Sequence, residues 1–245
     1  MEIIVNKKMI LNRFLVPISK FTDQATLTLT KDSIDCISYT TGDKQTIILY
    51  TKLDVKTDIT ENDIKLNIGS IKRLISAFNC IPDDIIALTI DNNSITYVST
   101  TTNFKFHLKE DGTVERAPIS VEKIKQITFN TWFSLSLDKL NEILKASTFS
   151  VDSNKIYLYC KDNSIYGQLT DKSTQNLDSI TVQITDTVNG DRLNDTIPLN
   201  LDIFKIISSI KMETLDIKIN TKGVMMFEIK EAGYTLQYIT TALVK

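Results

Sequence analysis

The chain has 245 residues, 42% hydrophobic and 24% charged, with a formal net charge of −2. That is enough apolar material for one large or two ordinary packed domains, and it excludes a disordered or collagen-like chain. No apolar run approaches the ~20 residues that cross a bilayer, and no secretory pattern opens the chain. The expectation is a cytoplasmic protein without a membrane partner, in the host cytoplasm if it is viral.

Glu2–Val5 reads as a short strand, and residues 7–16 (K-K-M-I-L-N-R-F-L-V) have helical spacing that Pro17 is expected to end or bend. Strand-like runs follow at Thr26–Thr30, Ser33–Thr40 and Gln45–Val55, the last two joined by the turn Thr41-Gly42-Asp43. After a strand at 65–68, Ser70 is a plausible N-cap for a helix over 71–79. Three strands come next, at Ile85–Asp91, Ser94–Thr100 and Asn103–Lys109. Residues 110–128 hold Gly112, Pro118 and charges of both signs, and read as a linker between domains at 1–109 and 129–245. The second domain is expected to run strand 131–136, helix 137–147, strands 155–161, 164–170, 179–186 and 196–200, helix 202–211, then strands 214–220, 223–230 and 233–241. Asn189-Gly190 is a strong hairpin-turn pair within the loop Asp186–Asp195. Each domain thus has two short helices and many strands, an α+β arrangement with its helices gathered on one side.

The two halves echo each other. Ile71, Leu74, Ile75 and Phe78 are spaced i, i+3, i+4, i+7, and Ile203, Ile206, Ile207 and Ile210 repeat that spacing 132 positions later. Ahead of these helices, Leu11-Asn12-Arg13-Phe14-Leu15 is answered by Leu140-Asn141-Glu142-Ile143-Leu144. At the far end, the alternation Phe104, Phe106, Leu108 is answered by Tyr234, Leu236, Tyr238. The pattern is a tandem duplication of a unit of about 110 residues.

Charge is divided between helices and the rest. The four helical segments carry nine basic groups (Lys7, Lys8, Arg13, Lys72, Arg73, Lys139, Lys145, Lys205, Lys211) against Asp138, Glu142 and Asp202. Their net +6 leaves −8 for the remainder of the chain. A basic helical side on an otherwise acidic protein suits a polyanion held on one face.

No P-loop, G-x-G-x-x-G, G-x-S-x-G or H-E-x-x-H occurs, so an enzyme is disfavoured and neither a metal nor a cofactor is expected. His107, the single histidine, reads as structural, and Asp186, Asp191 and Asp195 lack calcium-loop spacing. Trp132 and Phe133 read as core, and Cys36, Cys80 and Cys160 as buried thiols.

Duplication, paired helices, linker and charge split, with the run from Ser179 into L-N-L-D-I-F-K-I-I, together resemble the DNA sliding clamps. The bacteriophage T4-type clamp is the nearest in look, and proliferating cell nuclear antigen a more distant one. The resemblance implies a homotrimeric ring of six similar domains around duplex DNA, with the nine helix cations touching phosphates without sequence preference. It implies a joint between strands Asn103–Lys109 and Ser179–Asp186, carried by Phe104, Phe106 and Leu108 on one side and Ile180, Val182 and Ile184 on the other. It further implies a replicative polymerase and a clamp loader as partners, docking near Thr41–Lys44 (Thr41 and Lys44 at its ends), Ile119, Val121, Ala242, Leu243 and Val244. Two other readings fit the residues: a monomeric duplex-binding polymerase accessory protein, and a non-catalytic structural assembly protein.

Overall fold

The computed structural model describes residues 1–41, 45–59, 63–91, 93–149, 154–170 and 178–243. Two compact units form, and neither is continuous in sequence. The first comprises Met1–Thr40, Ile48–Gln126 and Lys230–Gln237; the second comprises Thr41–Ile47, Ile127–Ile229 and Tyr238–Lys245.

The strands repeat one topology twice. In the first half, Lys56–Thr57, Glu2–Asn6, Ile85–Ile90, Ser94–Val98 and Asn103–His107 lie side by side in that order. Their counterparts in the second half, in the same order, are Asn189–Gly190, Thr131–Ser136, Thr214–Ile219, Val224–Glu231 and Tyr234–Thr241. The remaining first-half strands run Thr46–Asp54, Ser33–Thr41, Ala25–Leu29, Ile64–Ile68, and are matched by Ile180–Thr185, Ser164–Leu169, Lys155–Lys161, Ile197–Asn200. The chain leaving each half's last strand even returns to the same edge: Lys109 N–H donates to Asn67 O, and Leu243 N–H to Pro198 O. The duplication in sequence is therefore a duplication of hydrogen-bonded order.

Helix formation follows the apolar stripe. Ile71–Asn79 buries Ile71, Leu74 and Phe78, spaced i, i+3, i+7, while Ile75 of the expected stripe is half-exposed at its margin. Ser70 caps it as expected, its side chain accepting from Arg73 N–H at 3.2 Å. The sequence reading missed a second cap. Asp23 accepts from Lys72 N–H through its carboxylate (3.0 Å) and from Ile71 N–H through its backbone carbonyl (2.7 Å), relieving orphan donors of the first turn. Asp202–Ser208 buries Ile203, Phe204 and Ile207, so Phe204 takes a place the four-isoleucine stripe had not given it. In each half the two helices pack side by side: Ile71–Asn79 against the helical stretch after the first strand, and Leu137–Ser147 against Asp202–Ser208.

Several expectations are corrected. Pro17 does not end the first helix. Residues Met9–Leu15 form a π-helical turn that continues into an α-turn, Val16–Ser19, with Pro17 at its start. Proline has no N–H to donate and its ring crowds the carbonyl four residues back; Pro17 stands at the start of the new α-turn, where a missing N–H costs least. The linker is not without structure either. Val121–Lys125 is a short helix capped by Ser120 (Lys123 N–H to Oγ, 3.4 Å), with Ile124 and Val114 buried.

Trp132 is 46% exposed, because adjacent strand residues point to opposite faces and Phe133, at 1%, holds the core side. Cys36 is buried as expected, but Cys80 lies exposed just past a helix and Cys160 is partly exposed. The Asn189-Gly190 pair is not a hairpin tip; it pairs with Thr131 and Trp132. No helix is long and apolar enough to cross a membrane among the described residues.

Gly190 has φ +75°, and a Cβ there would sit 2.0 Å from the Asn130 carbonyl oxygen. Gly190→Ala must therefore strain the backbone and displace that carbonyl, at a cost of about 2 kcal/mol or more. The expected result is a melting temperature at least about 4 °C lower in a thermal denaturation scan.

Candidate nucleic-acid interface

The helix cations fall into two groups once their surroundings are known. Lys8, Lys72, Arg73, Lys145, Lys205 and Lys211 are exposed. On Ile71–Asn79 the apolar side chains are buried and Lys72, Arg73 and Ser76 occupy the opposite face, so the same periodicity that builds the core sets the cations outward. Lys205 is held by Asp202 at 3.1 Å and Asn154 at 2.9 Å, and Lys8 lies 4.0 Å from Asp84. Lys139, half-exposed, is paired with Glu142 at 2.7 Å. Such surface pairs are worth little and leave the ammonium groups available to phosphate.

Lys7 and Arg13 are differently engaged. The Lys7 ammonium donates to the Ile81 carbonyl at 2.6 Å, just beyond the C-terminus of Ile71–Asn79, where a cation is favoured by the helix dipole. The Arg13 side chain is only 17% exposed; its guanidinium is 2.9 Å from Glu231 and lies over the Tyr234 ring, 5.8 Å from the centroid. Sequence gave no means of separating these two from the exposed six, since their partners lie far along the chain.

Both strands expected at a joint are sheet edges. Asn103–His107 is bonded only to Ser94–Val98, and Ile180–Thr185 only to Ser164–Leu169, among the described residues. Phe104, Phe106 and Leu108 are half-buried, Phe104 packing edge-on to Phe78 and stacking on Tyr97. Val182 and Ile184 are buried and Ile180 is partly exposed. Two apolar side chains that sequence reading passed over lie close by. Val98 pairs with Asn103 and is 76% exposed; Phe149, 58% exposed, follows the helix that packs on Ile180–Thr185.

Of the residues expected in a partner groove, Lys44 and Val244 lie outside the described residues. Thr41 is an exposed strand end. Ile119 and Val121 line a depression within the first unit, over strands that carry Asp35, Tyr50 and Lys52; Ala242 and Leu243 line another within the second unit, with Asn130, Leu193, Ile197 and Pro198. In the first depression burial pushes the Asp35 carboxyl up to about 6, helped by Asp63 and Glu122 and opposed by Lys52 and Lys125.

With the fold and the placement of these residues in hand, the class is plain: the chain has the α+β fold of the DNA sliding clamps. It is similar to proliferating cell nuclear antigen of A. fulgidus, in a structure with the C-terminal region of FEN-1 bound (TM-score 0.75, 11% identity, 100% of this chain and 98% of that one). It is similar to the same antigen from Thermococcus kodakaraensis (TM-score 0.75, 12% identity, 98% and 99% covered). It is also similar to the β subunit of DNA polymerase III from Thermotoga maritima (TM-score 0.73, 12% identity), where it covers 100% of itself but 66% of that longer chain. No protein-family description and no curated protein matches the sequence.

Asp35 yields a prediction with a definite sign. Its pKa in the folded state lies above its ordinary 3.8, so the neutral form favours folding. That stability is fully present below about 4 and is lost as pH rises through about 6. Asp35→Asn should raise the melting temperature at pH 7 by a few degrees, about 1 kcal/mol after allowing for solvent screening, and flatten the stability profile between pH 4 and 6. Thermal scans across that range read both effects.

Proposed function

We propose that this protein is a sliding clamp that encircles duplex DNA and tethers a replicative DNA polymerase. Three copies close a ring of six repeats, each chain contributing residues 1–109 and 129–245 joined by 110–128, in the manner of a phage-type clamp. Asn103–His107 of one copy adds to Ile180–Thr185 of the next, and Val98 and Phe149 lose their exposure at the joint. The observation that carries this reading is that, in a duplicated clamp fold, the two strands expected at the joint, one in each half, each pair on one side only among the described residues. An edge left open invites pairing with another chain, and two different edges on one chain make a head-to-tail contact, which is a ring when the rotation per copy closes.

DNA passes through the hole against Lys8, Lys72, Arg73, Lys139, Lys145, Lys205 and Lys211, with phosphates as the only contacts. Lys7 and Arg13 support that surface from within. Retention is topological, so each contact can be weak enough for sliding, and the protein needs no chemistry of its own. Polymerase and clamp-loader segments dock near Thr41, Ile119, Val121, Ala242 and Leu243; the FEN-1 segment on the A. fulgidus protein is a precedent for a partner's peptide on this fold.

Light scattering across a dilution series tests the assembly. Three chain masses are expected, and a strict monomer at high concentration would overturn the ring in favour of a monomeric duplex-binding accessory protein. A DNA-binding assay tests the surface. Lys72→Ala with Arg73→Ala should reduce the slope of log affinity against log salt by roughly one for each cation that meets a phosphate, with the melting temperature unchanged. An unchanged slope would remove these residues from the DNA surface.

A further inference from the structure

The strand Lys155–Lys161 reads K-I-Y-L-Y-C-K, a pattern the clamp reading leaves unexplained. Ile156 and Leu158 are fully buried, so Lys155, Tyr157, Tyr159 and Lys161 share the opposite face of the sheet. On the next strand Tyr166 is paired with Tyr159, and the two rings stack at 5.6 Å between centroids with 19° between planes. Gln168 stands beside Tyr157, Gln183 beyond Tyr166, and Thr181 beyond Gln168. The three tyrosines are half-exposed.

The four strands of this sheet, Lys155–Lys161, Ser164–Leu169, Ile180–Thr185 and Ile197–Asn200, contain no aspartate or glutamate. Among the described residues the carboxylates nearest in sequence, Asp162, Asp178, Asp186, Asp195 and Asp202, all lie beyond the strand ends. That is unusual in a chain whose non-helical part carries a net −8. Duplication supplies an internal comparison. The matching first-half sheet bears Asp35 among its face residues and is overlain by the segment containing Ile119, Val121 and Glu122.

From this we infer that the tyrosine–lysine face of the second-half sheet binds single-stranded nucleic acid. Aromatic rings offer a stacking platform that any base can use, and the flanking ammonium groups attract the backbone. Successive same-face residues on a strand are about 6.6 Å apart, so Lys155 and Lys161 bracket roughly 20 Å, a span of a few extended nucleotides. Gln168, Gln183 and Thr181 can hydrogen-bond to base edges or sugar. Duplex DNA does not suit this face: its bases are stacked out of reach of the rings, and a flat four-stranded surface does not enter a groove. The inference needs no helix cation, and its rings and ammonium groups stand on Lys155–Lys161 and Ser164–Leu169, inside the edge strand that carries Thr181 and Gln183.

Fluorescence anisotropy of labelled oligothymidylate at low salt tests it. Binding that weakens with added salt is expected. Tyr159→Ala should weaken it about tenfold while Tyr159→Phe, which keeps the ring, should not. Lys155→Gln with Lys161→Gln should lower the salt slope by about 1.4, and these two substitutions at the ends of a strand avoid any question of core packing. Lys72→Ala with Arg73→Ala should leave oligothymidylate binding unchanged. Absence of binding at low salt overturns the inference. So does binding that survives the tyrosine and lysine substitutions but is lost with Lys72 and Arg73, which would assign it to the helices, or a face found to capture only a protein segment.

Discussion

Everything in this protein depends on four short helices having somewhere to bury one side. The longest regular α-helix among the described residues, Leu137–Ser147, has eleven residues, too few to persist in water alone. Each buries at least three apolar side chains, a contribution of about 2 kcal/mol per side chain. The constraint has a second effect. With one face committed to the core, the opposite face is left to carry charge, and in Ile71–Asn79 that charge is Lys72 and Arg73. A short amphipathic helix on a sheet is therefore both a structural wedge and a charged surface, of one sign in Ile71–Asn79 and of mixed sign in Leu137–Ser147 and Asp202–Ser208.

The sequence was legible where a period repeats often enough to be read. The stripe through Ile71, Leu74 and Phe78 and the alternation through Phe104, Phe106 and Leu108 each located an element to within a residue or two. The capping role of Ser70 was likewise visible, because a cap is a local bond. What failed was non-local or too short. Pro17 reads as an end or a bend until the π-turn before it is known, and five residues at Val121–Lys125 are too few to declare a period. Trp132 was given to the core on hydrophobicity, when alternation with Phe133 already forbade both being buried.

The candidate surfaces were legible in kind and less so in membership. Nine cations share a residue type and a helical setting, yet Arg13 is packed against Glu231 and Tyr234, more than two hundred positions away. Nothing local marks it. The edges, by contrast, could be guessed from alternation but recognised as edges only from the order of the strands. Asp35 was invisible for a similar reason: its raised pKa comes first from burial and then from Asp63 and Glu122, all of which only the fold supplies.

The exchange of segments between the units bears on how the chain comes to be made. Residues 230–237 belong to the unit that otherwise ends at Gln126, and residues 41–47 to the one that begins in earnest at Ile127. A ribosome delivers the first unit's bulk long before its last strand. That unit must wait, with the Arg13 guanidinium lacking Glu231 and Tyr234, until residues 230–237 emerge. Contacts of such sequence separation slow folding and leave apolar surface uncovered meanwhile. The two halves follow one another in sequence, yet the first unit is completed only after most of the second has been made.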